Sequence, residues 1–159
     1  RVSSVAELSK YLSVASGSHF QTNALDGVDQ GMAAITLRGM DHASTLVLIN
    51  KKRQTYAGTP SHEGEGYIDV NIIPEIALEQ IEILKDGATS LYGSDAVAGV
   101  INFHTYHAFD GLRISASTQQ TSNYDQEDRS LGMLYGGEAF DGKYVIAVST
   151  LNRSPLNAS

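Results

Sequence analysis

The chain opens on an amphipathic pattern. Ser4-Val5-Ala6-Glu7 fits a capping box, in which the serine oxygen and the glutamate carboxylate each satisfy an orphan backbone donor. Val5, Leu8 and Leu12 then repeat at i, i+3 and i+7, which predicts a helix with one apolar stripe, ended by Gly17. Nothing on that stripe carries chemistry, so it reads as a packing helix. Asn23 to Gly31 is rich in turn formers and reads as a loop. Ala34 to Gly39 alternates as a strand, and Asp41-His42-Ala43-Ser44 turns the chain. Thr45 to Ile49 is apolar without interruption, which predicts a strand buried on both faces. Asn50-Lys51 makes a tight turn into Arg53-Gln54-Thr55-Tyr56. The stretch Gly58 to Gly66, with Pro60, Glu63 and Glu65, is too polar for a core and too long for a simple turn, so it is a candidate functional loop.

Pro74 suits the first turn of a short helix running to about Leu78. Gln80 to Lys85 returns to strand alternation, Ala88 to Tyr92 is helix-like between Gly87 and Gly93, and Gly99 to Phe103 is another strand. Short strands mixed with short helices predict an α+β domain. The texture changes after His107. Leu112, Ile114 and Ala116 alternate with polar neighbours, as do Leu131, Met133 and Tyr135, and then Tyr144, Ile146 and Val148. A long acidic loop, Ser122 to Arg129, separates the first two runs, and a tight turn at Asp141-Gly142 separates the next two. Long loop followed by short turn is the pattern of an outer-membrane barrel, and an ordinary antiparallel meander fits it equally.

Composition excludes several classes. With 42% hydrophobic and 18% charged residues the chain can build a core. The net charge of -7, with no basic run longer than Lys51-Lys52-Arg53, argues against nucleic acid as a partner. Cysteine is absent, which removes disulfides and thiolate chemistry. No apolar run approaches the roughly 20 residues of a membrane helix. His104 and His107 are three apart, a metal spacing on a helix, but in a strand they point to opposite faces. His19, His42 and His62 are scattered, so no metal site and no cofactor is expected. No G-x-x-x-x-G-K pattern cradles a phosphate, and Ser94 lacks the G-x-S-x-G frame of a nucleophile elbow.

Three segments carry a family resemblance. Ile35-Thr36-Leu37-Arg38-Gly39-Met40 resembles the I-R-G strand of TonB-dependent receptor plugs, and Leu46-Val47-Leu48-Ile49-Asn50 resembles the strand that follows it. The stretch from Ile73-Pro74 through Ile81-Glu82-Ile83-Leu84-Lys85 and Tyr92-Gly93-Ser94-Asp95 to Gly99-Val100-Ile101-Asn102-Phe103 is similar to the family's longest signature almost throughout. The resemblance covers residues 4 to 107. It implies a small mixed β-sheet plug with short helices at 1–107, and at 108–159 the first antiparallel strands of an incomplete transmembrane β-barrel of about 22 strands. It further implies a non-enzymatic outer-membrane receptor that imports a scarce nutrient: an iron-siderophore complex, haem, cobalamin or an oligosaccharide. The implied partners are the chain's own barrel, the nutrient, and the inner-membrane TonB protein, which pulls a segment upstream of Arg1. A signal peptide upstream and further amphipathic strands downstream are expected with it.

Carried over by position, the apical loops of such plugs correspond to Asn23–Gln30, Asp41–Ser44 and Gln54–Gly58. They offer Asp26, Gln30, Asp41, His42 and Tyr56 as ligand-binding residues, against the plain reading of solvated loop polarity. Arg38 and Lys85 match positions that pair with glutamates of the barrel wall; for Lys85 an internal pair with Glu82 or Glu79 fits as well. Gly87, Gly93 and Gly99 fall where helix and strand ends meet at close quarters. Lys51 stands where many relatives carry glycine, and it leaves the turn type open. A second reading is a soluble α+β carbohydrate-binding or hydrolase domain using Glu63, Glu65 and Asp69. A third property, self-association through open strand edges, is expected of an isolated fragment.

Overall fold

The computed structural model describes residues 34–37, 44–58, 66–85, 88–120, 127–139 and 141–153. They form two compact units. One holds the described residues up to Ile73 together with Leu78–Thr105, and the other holds Pro74–Ala77 and the described residues from Tyr106 onward. The helix expected from Ser4 and the loop from Asn23 lie outside the described residues.

The first unit is built on a mixed four-stranded sheet in the order β2-β1-β4-β3. Its strands are β1 (Thr45–Ile49), β2 (Lys52–Arg53), β3 (Leu78–Leu84) and β4 (Gly99–Thr105). β1 and β4 run parallel at the centre, from Thr45 opposite Gly99 to Ile49 opposite Phe103. That central place explains the unbroken hydrophobicity of β1. Val47 meets Ile101, Phe103, Val70 and Ile73 on one face, while Leu46 and Leu48 meet Val100, Ala88 and Ala96 on the other. Burying each large side chain of this set contributes about 1.5–3 kcal/mol. β3 lies antiparallel to β4 with an irregularity between Leu78 and Gln80. A single short helix, α1 (Ala88–Tyr92), and a 3-10 turn at Ser94–Ala96 connect β3 to β4 and roof the second face.

The turn left open by Lys51 is settled by its dihedrals. Asn50 and Lys51 have φ of 51° and 65°, the two positive values of the hairpin turn whose twist suits antiparallel strands. Asparagine tolerates this region, and a lysine there costs about 1 kcal/mol. The sheet holds the turn in place. Asn50 Nδ2 donates to Thr105 Oγ1 at 2.8 Å, the Thr105 N–H returns to Asn50 Oδ1 at 2.9 Å, and the Lys51 N–H donates to Asn102 Oδ1 at 2.9 Å.

Three local expectations change. Ala34 to Leu37 does not alternate: all four are buried, and Ala34 alone makes a strand bridge. Ile35 and Leu37 enter the main core and Ala34 packs with Tyr67, while the Leu37 N–H is taken by Thr45 Oγ1 at 3.0 Å instead of by a ladder. The helix expected from Pro74 is a single 3-10 turn, Glu75–Ala77, closed by the Ala77 N–H on the Pro74 carbonyl at 2.9 Å. The acidic loop is shorter than Ser122–Arg129, because the pairing of β5 and β6 continues to Gln120 opposite Glu127 and carries Arg129 into the ladder.

The second unit is an up-and-down meander of β5 (Gly111–Gln120), β6 (Glu127–Ala139) and β7 (Gly142–Arg153). Its register puts Leu112, Tyr135 and Ile146 in one row and Ile114, Met133 and Val148 in the next. These six share a face and are all exposed, at 43–63%. The opposite face is mixed: Ser117 and Ser130 hydroxyls meet at 2.6 Å, Ile76 packs against Gly132, Leu134 is fully buried and Leu151 is exposed. The meander therefore exposes its continuous apolar row, the reverse of a soluble sheet. Arg113 stacks over both the Tyr106 and Phe109 rings, at 5.3 and 5.0 Å, and donates to Tyr106 Oη at 3.0 Å.

Candidate functional site

Of the residues singled out for binding or barrel contact, Tyr56 and Lys85 are described. Asp26, Gln30, Arg38, Asp41 and His42 lie outside the described residues, as do Glu63 and Glu65.

Tyr56 follows β2 at the start of the polar loop. Its ring covers Gly66 so closely that a Cβ there would sit 2.9 Å from Tyr56 Cγ, and 55% of Tyr56 remains exposed. The Ala57 N–H donates to the Tyr67 carbonyl at 2.8 Å and brings the two limbs of the loop together. Beside Tyr56 opens a cleft of about 400 Å³ lined by Thr45, Leu46, Arg53, Gln54, Thr55, Ile68 and Asp95. It combines an aromatic face with amide, hydroxyl and charged groups, the chemistry of an orienting ligand site.

Arg53 and Asp95 were not singled out by the sequence. They meet at 2.6 Å, and Arg53 also donates to the Tyr92 carbonyl at the end of α1. The link fastens the β1–β2 hairpin to the segment that roofs the sheet. Both partners are about half exposed, and solvent screens such pairs. Arg53→Ala is therefore expected to lower stability by about 0.5–1.5 kcal/mol, read from the urea midpoint, with Asp95→Asn costing no more. A basic residue after a hairpin turn and an acid after Tyr-Gly-Ser give no sequence hint that they meet; only the parallel β1–β4 pairing brings them together.

Lys85 directly follows β3 and is exposed. Glu82, one of the internal partners considered for it, has its carboxylate engaged elsewhere. His104 Nε2 lies 3.1 Å and Asn102 Nδ2 lies 3.3 Å from Glu82 Oε2. The hydrogen bond from His104, and then that from Asn102, hold the Glu82 carboxyl below the usual glutamate range. A depressed carboxyl stabilises the fold above its unfolded pKa, and that contribution is lost as pH falls through the folded value. His104 is thus occupied within the sheet, and no group of three or more metal-binding side chains exists among the described residues. Asp69, a carboxylate of the hydrolase reading, caps the 3-10 turn Val70–Ile72 by accepting the Asn71 N–H at 2.9 Å.

Among the described residues the first unit is a small mixed sheet roofed on one face by a short helix and a 3-10 turn. Residues 2–100 match the model of the TonB-dependent Receptor Plug Domain. The chain belongs to that family. It is 39% identical over 99 residues to the iron-regulated outer membrane virulence protein of Vibrio cholerae serotype O1, covering 62% of this chain and 15% of that protein. Among solved structures it is similar to the siderophore receptor PirA of Acinetobacter baumannii, with 25% identity, a TM-score of 0.58, and coverage of 75% of this chain and 18% of that one. An enterobactin-bound variant of the ferric enterobactin receptor of Pseudomonas aeruginosa shares the fold over 94% of this chain and 23% of its own, with 23% identity and a TM-score of 0.63. The chain thus spans less than a quarter of the length of these relatives. No helix among the described residues is long and apolar enough to cross a membrane, which leaves a β-barrel crossing untouched.

Proposed function

We propose that this chain is the plug, at 1–107, and the opening strands, at 108–159, of an active transporter that imports a scarce nutrient across the outer membrane. The observation that carries the reading is the inverted meander. Three strands of 10, 13 and 12 residues are each long enough to cross a bilayer, and they present their apolar row outward. A plug within such a wall needs a polar flank, because hydrated contacts yield to a pull where a greasy interface would hold. Arg38 and Lys85 are the proposed contacts to that wall. Energy comes from TonB acting on a segment upstream of the plug.

The proposed ligand face gathers Asp26, Gln30, Asp41, His42 and Tyr56, with the Tyr56 cleft as its described part. A ferric siderophore is the favoured cargo. Support comes from the iron-regulated Vibrio relative and from the siderophore receptor that matches at 25% identity. Haem, cobalamin and oligosaccharides are the competing cargoes, and the 27%-identical vitamin B12 transporter BtuB of Vibrio vulnificus keeps cobalamin in view.

Growth of a strain lacking the gene tests the proposal. Loss of growth on one ferric siderophore under iron limitation, restored by the wild-type gene, is the expected result. A defect confined to cobalamin or glycans would replace the cargo. No defect on any nutrient would remove the transport reading.

A further inference from the structure

Among the described residues, α1 and the turn after it roof the second face of the first sheet over Val100. Two and four residues further on, the buried Asn102 and the part-buried His104 share that face, with Glu82 beside them on β3. The hydrogen bonds of this trio do not close for a single protonation state. Asn102 Oδ1 accepts the Lys51 N–H at 2.9 Å, which orients the amide. Asn102 Nδ2 then lies 2.8 Å from His104 Nε2, and that same Nε2 lies 3.1 Å from Glu82 Oε2. An amide nitrogen only donates and an ionised carboxylate only accepts, whereas an imidazole nitrogen donates when it bears a hydrogen and accepts when it is bare. Nε2 can therefore serve Asn102 or Glu82, never both. Turning the amide over offers no escape, because Nδ2 would then confront the Lys51 N–H, donor against donor.

We propose that His104 is a proton-operated clamp that decides whether the Asn102 side chain on β4 stays fixed to anchor the Lys51 amide of the β1–β2 turn, or is released while His104 binds Glu82 of the edge strand β3. With Nε2 bare, it accepts one Asn102 N–H, the other serves Glu82, and a continuous chain runs from Lys51 through Asn102 to His104. With the imidazole protonated, Nε2–H donates to Glu82 in a charge-assisted bond, and Asn102 must withdraw. The Lys51 turn, held at a φ of 65°, then loses the rigid anchor for its amide. The hydrogen bond from His104, and then that from Asn102, favour the ionised form of Glu82 and hold its carboxyl below the usual glutamate range. Among the described residues, the charged groups acting at this place are Glu82 from β3 and Lys51 from the turn, and Lys51 reinforces the ionised form of Glu82. Gln80, Asn50 and Thr105 beside them are neutral.

Amide hydrogen exchange in the intact receptor, at about pH 7.5 and about pH 5.5, tests the clamp. After correction for intrinsic exchange, protection of the Lys51 amide is expected to fall roughly two- to tenfold on acidification while the β3 amides hold or gain. In His104→Gln, whose side chain does not titrate, that dependence should vanish. An unchanged Lys51 amide in the wild type, or an equal fall in His104→Gln, would overturn the clamp. Should His104→Gln not assemble, the nitrogen shifts of the wild-type imidazole decide: a bare Nε2 at neutral pH supports it, and a protonated Nε2 there refutes it.

Discussion

Replacing Gly99 with alanine is expected to destabilise the chain by about 2–6 kcal/mol, the sum of a backbone strain and a clash of about 1–3 kcal/mol each. Gly99 begins β4 with a φ of 135°, a region closed to side chains, and a Cβ there would stand 2.7 Å from both the Leu84 carbonyl oxygen and Leu37 Cδ1. The leucine methyl can move. The carbonyl belongs to the backbone of β3 and cannot move without disturbing the β3–β4 ladder. Gly93 provides the comparison. Its φ of 85° is equally unsuited to a side chain, yet no described residue comes within 4 Å of a Cβ there, so Gly93→Ala carries only the strain of about 1–3 kcal/mol. Urea denaturation of both variants checks the pair. Equal losses would show that the close approach at Gly99 contributes nothing.

On the proposed barrel, introducing arginine at Ile114 is expected to cost up to about 2–4 kcal/mol for folding into a bilayer, the penalty of a charge on a lipid-facing strand position. Ile114 stands in the exposed apolar row with Met133 and Val148. Ser149→Arg, across the register from Gly132 on the inward face, should cost almost nothing, since that face already carries Arg113. Folding of the full receptor into lipid vesicles at a series of urea concentrations measures both. If the two variants behaved alike, the outward apolar row would not be meeting lipid, and the barrel reading would fail with it.

Much of the plug was legible from residues in order. The helix Ala88–Tyr92, the strand Thr45–Ile49 and the strand opening at Gly99 stand where periodicity put them, because each is short, bounded by glycine or a turn, and apolar in a period that suits its geometry. The alternation after His107 was equally plain, since register converts a period of two directly into two faces. Ala34 to Leu37 was less so. Its alternating letters imply one wet face, and the structure buries both, because the chain there is enclosed by side chains from distant segments. The site was legible mainly as loops: Tyr56 came forward as a polar-loop aromatic, while its cleft depends on neighbours from β1, β2 and the turn after α1.

Local pattern by itself determined the α+β character, the central apolar strand, the capped and glycine-bounded elements, and the two-faced strands of the second half, since these depend on spacing along the chain. Tertiary structure alone decided that Arg53 meets Asp95, that Asn102 anchors the Lys51 turn, that Glu82 is bound to His104 and Asn102, and that Gly99 has no room for a methyl group. Those are contacts between residues 20 to 62 positions apart or enforced by a neighbouring strand's backbone, and no local period encodes which partner a long-range pairing will deliver.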